Sequence, residues 1–346
     1  MLSERERDFT WRDGERVIRF GLGVLSEAPS LLSEHGFDGY VLLSTQRALD
    51  YGGAAATALA DAAAATLEVP SGGVPGAAAA VRGDVAGRPL VALGGGRVVD
   101  SAKAIAAVDG LRCAAVPTTL SGADVTAIHR LPSGADRSPT GLVRPDLTIA
   151  DPDQMASAPR AALTASAMNA LAHGAEALYA PGANPVGEMA ALRGAGLIAA
   201  GLDASSEPDR ESLALGALLC AWSIDGAGLG LHHAVCQTTV RVLGTPHAET
   251  NAIVLPHVLR PLARHAPREL GLLASALGAS EREPDLASVR AAELASGAGV
   301  TRLCQLGVEE TALERVVDAV MDRREVAATP GRPGRDEVEA LLRAAL

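Results

Sequence analysis

Residues 89–103, Pro-Leu-Val-Ala-Leu-Gly-Gly-Gly-Arg-Val-Val-Asp-Ser-Ala-Lys, restrict the fold of this chain more than any other stretch. Pro89-Leu-Val-Ala-Leu93 is a short apolar run between turn residues, the pattern of a strand buried on both faces. It stops in Gly94, Gly95 and Gly96, and helical composition begins at Arg97. Where a strand ends in glycines and turns into a helix, backbone amides can approach a pyrophosphate, and the helix N-terminus adds a favourable field. Two roles are open for three glycines taken alone: that phosphate turn, or a tight turn that needs positive φ. Their spacing matches neither Gly-x-Gly-x-x-Gly nor a P-loop.

The same alternation runs on either side. Residues 16–27 read as a short strand and turn, followed by a helix ending near Gly36 and a buried strand at 39–45. Ala54–Ala65 has helical composition, Thr66–Val69 is strand-like, and 75–86 supplies another helix. Leu111–Val116 is a strand leading into Pro117-Thr118-Thr119-Leu120-Ser121-Gly122-Ala123-Asp124. Residues 129–145 suit an irregular or hairpin segment, and Leu147–Ala150 is the last strand. Strands alternating with helices predict a doubly wound, Rossmann-like parallel sheet. Hydroxyls and amides at the carboxyl end of a strand suit a nucleotide phosphate or ribose, although a plain turn-rich loop accounts for the same residues.

From Ala161 onward strand patterns vanish, and glycine breaks near 182, 201 and 228 divide an all-helical region. The chain is therefore read as an α/β domain at 1–158 and a helical domain at 159–346. The helical half carries His232, His233, His247 and His257, four of only eight histidines. Imidazole titrates nearest neutrality and is the commonest metal ligand, so the cluster marks a candidate site; caps or satisfied core histidines are the other possibility. Asn169 and His173 are four apart on one helix face, with Glu176 three further on. They form half of a metal or substrate site, or a buried polar pair tying helices together.

Composition narrows the function classes. A net charge of −11 excludes a basic, phosphate-backbone-binding surface, so no nucleic-acid partner is expected. No apolar run approaches the roughly 18–20 residues of a membrane span. The first residues lack the apolar core of a secretion signal, and Cys113, Cys220, Cys236 and Cys304 lack metal-finger spacing. A cytoplasmic protein with reduced thiols is expected, Cys236 having no particular claim to be a nucleophile.

Three blocks then coincide in order: Gly-Gly-Gly-x-x-x-Asp-x-Ala-Lys at 94–103, Pro-Thr-Thr-x-x-Gly at 117–122, and the 169/173 pair followed by His233 and His247. Together they resemble the iron-containing alcohol dehydrogenase superfamily, which takes in dehydroquinate synthase-like folds. Met168–Pro181, Gly230-Leu-His-His233, Pro246-His-Ala-Glu249, Leu255-Pro-His257 and Ala328–Pro333 are similar to its maleylacetate reductase branch. The resemblance runs from about residue 9 to the end. It implies a dinucleotide domain, a helical domain, hydride transfer in a cleft between them, and a homodimer. Gly95 and Gly96 would hold the pyrophosphate, with Thr118, Thr119 and Leu120 around the nicotinamide-side ribose and phosphate, and Gly94 counts with the cofactor residues. Arg97, Asp100 and Thr45 count with the cofactor residues. Metal-binding relatives use an aspartate and three histidines, and those positions fall on Asn169, His173, His233 and His247. The aspartate is missing. A divalent ion would face only neutral donors, so no metal is expected.

Several positions depart from the branch. Arg97 replaces a serine, Thr45 stands at the acidic ribose position near Arg47, and Asp146 replaces a basic residue. Gln237 replaces a histidine that lies near the nicotinamide in relatives, and glutamine is no general acid near neutral pH. The expected activity is an NADH- or NADPH-dependent reductase of an oxo-acid or enone-type carboxylate. His173, His233 and His247 would bind and polarise the substrate, with His232 or ordered water supplying the proton. The alternative is a non-redox cyclase, dehydratase or isomerase of a secondary pathway that uses the histidines as acid and base.

Overall fold

The computed structural model describes residues 7–136, 141–203 and 207–346. The chain divides into two compact units, Met1–Ser157 and Ala158–Leu346.

The first unit is a seven-stranded sheet: β1 (Asp8–Asp13), β2 (Arg16–Gly21), β3 (Val41–Ser44), β4 (Ala65–Glu68), β5 (Leu90–Gly94), β6 (Cys113–Pro117) and β7 (Leu147–Ala150). Their order across the sheet is β1-β2-β7-β6-β5-β3-β4, with only the β1–β2 pair antiparallel. Helices α1 (Ala28–Glu34), α2 (Gln46–Asp61), α3 (Val74–Arg82) and α4 (Gly96–Asp109) lie between the strands, and the short α5 (Pro152–Met155) follows β7. Strand alternation feeds two cores. Val41, Leu43, Leu90, Ala92, Cys113 and Ala115 face one cluster, while Leu42, Val91, Leu93, Ala114 and Val116 face the other. Both faces being covered is why these strands read as unbroken apolar runs.

Two features of this unit escape the sequence pattern. Strand β1 is half-exposed and polar along one edge, and Asp13-Gly14-Glu15-Arg16 closes it onto β2 through Gly14 at φ +64°. A two-residue hairpin turn demands such a φ, and Asp-Gly was its only local sign. Helix α2 starts at Gln46, eight residues before the expected Ala54, because Thr45 caps it by accepting from the Ala48 N–H (3.3 Å). Gly53, at φ +53°, breaks its regularity inside. The expected segment 129–145 is irregular where described, His129 Nε2 accepting from the Val143 N–H (3.1 Å); residues 137–140 lie outside the described residues.

The second unit contains α6 (Arg160–Ala177), α7 (Pro185–Leu202), α8 (Arg210–Ala227), α9 (Leu231–Leu243), α10 (His247–His265), α11 (Pro267–Ala276), α12 (Asp285–Ala295), α13 (Leu313–Met321), α14 (Arg324–Ala328) and α15 (Arg335–Ala345). No strand occurs among its described residues. Helix α6 is buried almost all round from Leu163 onward, which makes it the central helix. Glycines let its neighbours close in. A Cβ on Gly194 would lie 2.7 Å from the Gly216 carbonyl and 2.6 Å from Cys220 Sγ, and one on Gly174 2.7 Å from the same sulfur. Burial pushes the Cys220 thiol up to about 12, so it serves as packing. Among the described residues no single helix is long and apolar enough to cross a membrane.

Candidate active site

At the carboxyl edge of the first unit's sheet, β5 ends at Gly94 and α4 starts at Gly96, with Gly95 as an N-cap that no side chain caps. None of the three glycines has positive φ, which removes the tight-turn explanation of their identity. Close approach explains them instead. A Cβ on Gly95 would come within 3.0 Å of Thr119 Cγ2, and one on Gly96 within 3.0 Å of Ser121 Oγ. The glycine turn thus lies directly against the Thr118–Ser121 loop, and the Thr118 N–H donates to the Gly94 carbonyl (3.0 Å). Two segments that the sequence offered as separate phosphate candidates form one surface.

Lys103 holds that surface together. Its side chain is wholly buried, and its ammonium donates to Asp100 Oδ1 (2.8 Å) and to the carbonyls of Ala123 (2.9 Å) and Ile128 (2.9 Å). Lys103 was visible in the sequence only as part of the motif, and no pattern marked it as an anchor. Asp100, counted with the cofactor residues, is engaged by this lysine. Leu120 is fully enclosed, so only its backbone could meet a ligand, while Thr118 and Thr119 are half-buried. Arg97 is exposed in the first turn of α4, and Thr45 spends its hydroxyl on the α2 cap. Asp124 is buried, and burial pushes its carboxyl up to about 6. Asp146 is no site residue: it precedes β7 at the opposite, amino end of the strand and pairs with Arg112 (2.7 Å).

In the second unit, three histidines meet over Glu176. Gly230 caps α9, and a Cβ there would lie 2.8 Å from the Tyr179 ring and 3.1 Å from Glu176 Oε1, so only glycine lets α9 descend onto α6. Glu176 then closes the N-terminus of α9 from a neighbouring helix. Its Oε1 accepts the His233 N–H (3.1 Å) and its Oε2 accepts His233 Nδ1–H (2.6 Å). Backbone donors and the helix field favour the carboxylate, whereas burial raises its pKa. Sequence spacing singled out Glu176 but gave it no role.

The carboxylate fixes the His233 tautomer, with the proton on Nδ1 and a lone pair on Nε2. Nε2 is buried without a hydrogen-bond partner among the described residues, as are Asn169 Oδ1 and His173 Nδ1. The rings of His173 and His233 lie 4.8 Å apart and nearly parallel. Burial pushes His233 down to about 3 and His173 well below its usual value, so both are neutral. His247, the exposed first residue of α10, adds to both depressions and so belongs to the group.

His232 has a different task. Asn251 donates its amide to the His247 carbonyl (2.7 Å), leaving Oδ1 to accept from His232 Nε2–H (2.7 Å). His232 is fully enclosed and pushed down to about 4, mainly by burial, so it links α9 to α10 and is not suited to donate a proton. His257 lies ten residues along α10 from His247, about 15 Å at helical rise, and leaves the cluster. Cys236 is buried and its thiol is pushed up, in keeping with an inert residue. Gln237 lies one turn beyond His233 on α9, and its Oε1 accepts from Arg323 Nη2 (3.2 Å). Arg323 belongs to no recognised motif and was missed.

The chain covers 94% of the length of several curated relatives and about two thirds (65%) of another, maleylacetate reductase 1 of Rhodococcus opacus. The family model for the iron-containing alcohol dehydrogenase matches residues 19–159, and that for the C-terminal part of the Fe-containing alcohol dehydrogenase family matches 163–346. Maleylacetate reductase of Pseudomonas aeruginosa is 33% identical over 341 residues, covering 95% of this chain and 94% of that protein. Maleylacetate reductase 2 of Cupriavidus pinatubonensis is 32% identical over 352 residues, covering 95% and 94%. Among solved structures, maleylacetate reductase from Agrobacterium tumefaciens superposes with a TM-score of 0.81 at 28% identity, covering 98% of each chain. The iron-containing alcohol dehydrogenase from Corynebacterium glutamicum gives a TM-score of 0.84 at 27% identity, covering 100% of this chain and 98% of that one. A mostly parallel sheet followed by a helical unit is the two-domain fold of these solved structures, and the matched family models make the protein an oxidoreductase. The chain belongs to the iron-containing alcohol dehydrogenase family and resembles its maleylacetate reductases. The expectation of a metal-free site gains no support from these likenesses, since the family is named for its iron.

Proposed function

We propose that the protein is an NADH- or NADPH-dependent reductase of an oxo-acid or enone-type carboxylate. The relatives named maleylacetate reductase support this reading, and the observation that carries it is the neutral His173–His233 pair with its unpartnered acceptors. The first unit fits a dinucleotide: an uncapped helix N-terminus and close-packed glycines give a phosphate backbone amides without side-chain obstruction. NADH or NADPH, when bound, supplies hydride. The second unit orients the substrate and stabilises the oxygen on which charge develops.

Neutral imidazoles divide that work. His233 Nε2 can only accept, so the group it holds carries a proton, either the product hydroxyl or a water that protonates the new alkoxide. Asn169 has amide N–H groups to offer the carbonyl oxygen, and His173 does the same in its Nε2–H form. Iron fits this donor set poorly. Asn169, His173, His233 and His247 bring no anion, Glu176 is committed to His233, and no metal-holding group of three His, Cys, Asp or Glu side chains occurs among the described residues. No step is assigned to a metal.

Titration of purified protein with NADH and with NADPH, followed by nicotinamide fluorescence, tests the proposal. Binding of one of them, and its oxidation when maleylacetate is added, is expected; failure to bind either rules out the reductase. Elemental analysis of the same sample is expected to find well under one metal ion per chain, and a full equivalent of iron or zinc would overturn the metal-free part.

A further inference from the structure

We propose that Arg323 is a positioning residue that makes Gln237 a fixed hydrogen-bond donor to a carbonyl or carboxylate oxygen of the substrate. The proposal rests on the reading of the imidazole face as the substrate site. Gln237 follows His233 by four residues, so both side chains leave α9 on one face, a turn apart. A free amide can present either its oxygen or its N–H groups, because a half-turn about its last bond exchanges them. Arg323 removes that freedom. Guanidinium has donors and no acceptor, so the end of Gln237 that meets it must be the oxygen, as the 3.2 Å contact from Nη2 to Oε1 shows.

Arg323 cannot swivel to release it. Glu325 takes Nε on Oε2 (3.1 Å) and Nη2 on Oε1 (3.0 Å), a two-point fork that fixes the guanidinium plane. Both side chains are mostly buried, at 20% and 13% exposure. Glu325 also balances the arginine's charge, so Arg323 is not itself the receptor for an anion. The Gln237 N–H groups sit on the other arm of the same amide and take no part in that contact. Among the buried side-chain atoms without partners, His233 Nε2 and Asn169 Oδ1 present lone pairs, while the donors of that group, the Asn169 N–H groups and His173 Nε2–H, belong to side chains that no hydrogen bond among the described residues locks in one orientation. A substrate hydroxyl suits those lone pairs, an oxygen without a proton needs donors, and Gln237 adds one whose orientation Arg323 fixes.

Gln237→Glu separates this from a purely structural role. It keeps an oxygen on Arg323, now charge-assisted, and removes both N–H donors. Expected results are a Tm equal to or above that of the wild type, loss of the Tm increase given by maleylacetate, and a KM for maleylacetate raised about tenfold or more. Arg323→Met, which frees the amide to rotate, should raise KM in the same sense, and Arg323→Lys should restore part of it because an ammonium also demands the amide oxygen. A Gln237→Glu protein that keeps the maleylacetate Tm increase and a KM within about twofold of wild type would overturn the proposal, as would a wild type that maleylacetate does not stabilise. If maleylacetate stabilises the wild type and the Gln237→Glu protein loses that shift, but neither NADH nor NADPH is oxidised, the reductase reading fails and the role of Arg323 stands.

Discussion

An imidazole enclosed among apolar helices gives up its proton, and His232 shows what that costs. In the unfolded chain it takes up a proton near pH 6.5, in the folded protein only near about 4. Its contribution to stability is therefore complete above pH 6.5 and is lost as pH falls towards 4, at up to about 1.4 kcal/mol per pH unit. The raised carboxyls of Glu176 and Asp124 act in the opposite sense, since the folded protein takes up their protons first. Comparing two proteins isolates one group. His232→Gln keeps an N–H for Asn251 but cannot titrate, so its urea-unfolding free energy should fall less steeply than wild type between neutral pH and about pH 5, by up to that same amount per unit. Parallel slopes would mean that His232 is not held neutral.

At the scale of the element, helix α4 and the loop after β6 behave as one piece because Lys103 joins them. Lys103→Met would leave Asp100 and two carbonyls short of a donor, and breaking a buried ion pair from one side costs about 3–5 kcal/mol. Asp100 keeps some solvent contact, which places the expected loss at the lower end, about 3 kcal/mol in urea unfolding. The glycine turn should lose its register with the Thr118–Ser121 loop, so NADH or NADPH affinity in the fluorescence titration should drop as well. Loss of stability without loss of affinity would detach the loop from the nucleotide site.

At the scale of the whole molecule, the two compact units call for two responses to one ligand. A dinucleotide that binds the first unit should raise the unfolding temperature of that unit, by about 2.7 kcal/mol of stabilisation at a hundredfold excess over Kd. Differential scanning calorimetry should then resolve two transitions, of which NADH or NADPH moves mainly one. Lys103→Met should lower that same transition. A ligand shift confined to the transition that Lys103→Met leaves alone would place the nucleotide elsewhere.

The amino-acid order determined the elements whose signals are local. Leu90–Gly94 and its neighbours had to be buried parallel strands, because runs that short and that apolar suit only a sheet covered on both faces. The histidines, the glycine turn and the Thr-Thr loop could be read for the same reason, as residue types at fixed spacing. Local order could not show that β1 exists, since its polar alternation gains meaning only from pairing with β2. Nor could it distinguish the tasks of neighbouring histidines, one held by Glu176 and the other by Asn251. Asp146 looked like a departure at the chemistry and proved to be a surface ion pair. Arg323, 86 residues from Gln237, gave no sign at all. Periodicity along the chain decides which face of an element is buried; which side chain supplies the missing donor or acceptor is decided only when packing brings distant segments within about 3 Å of each other.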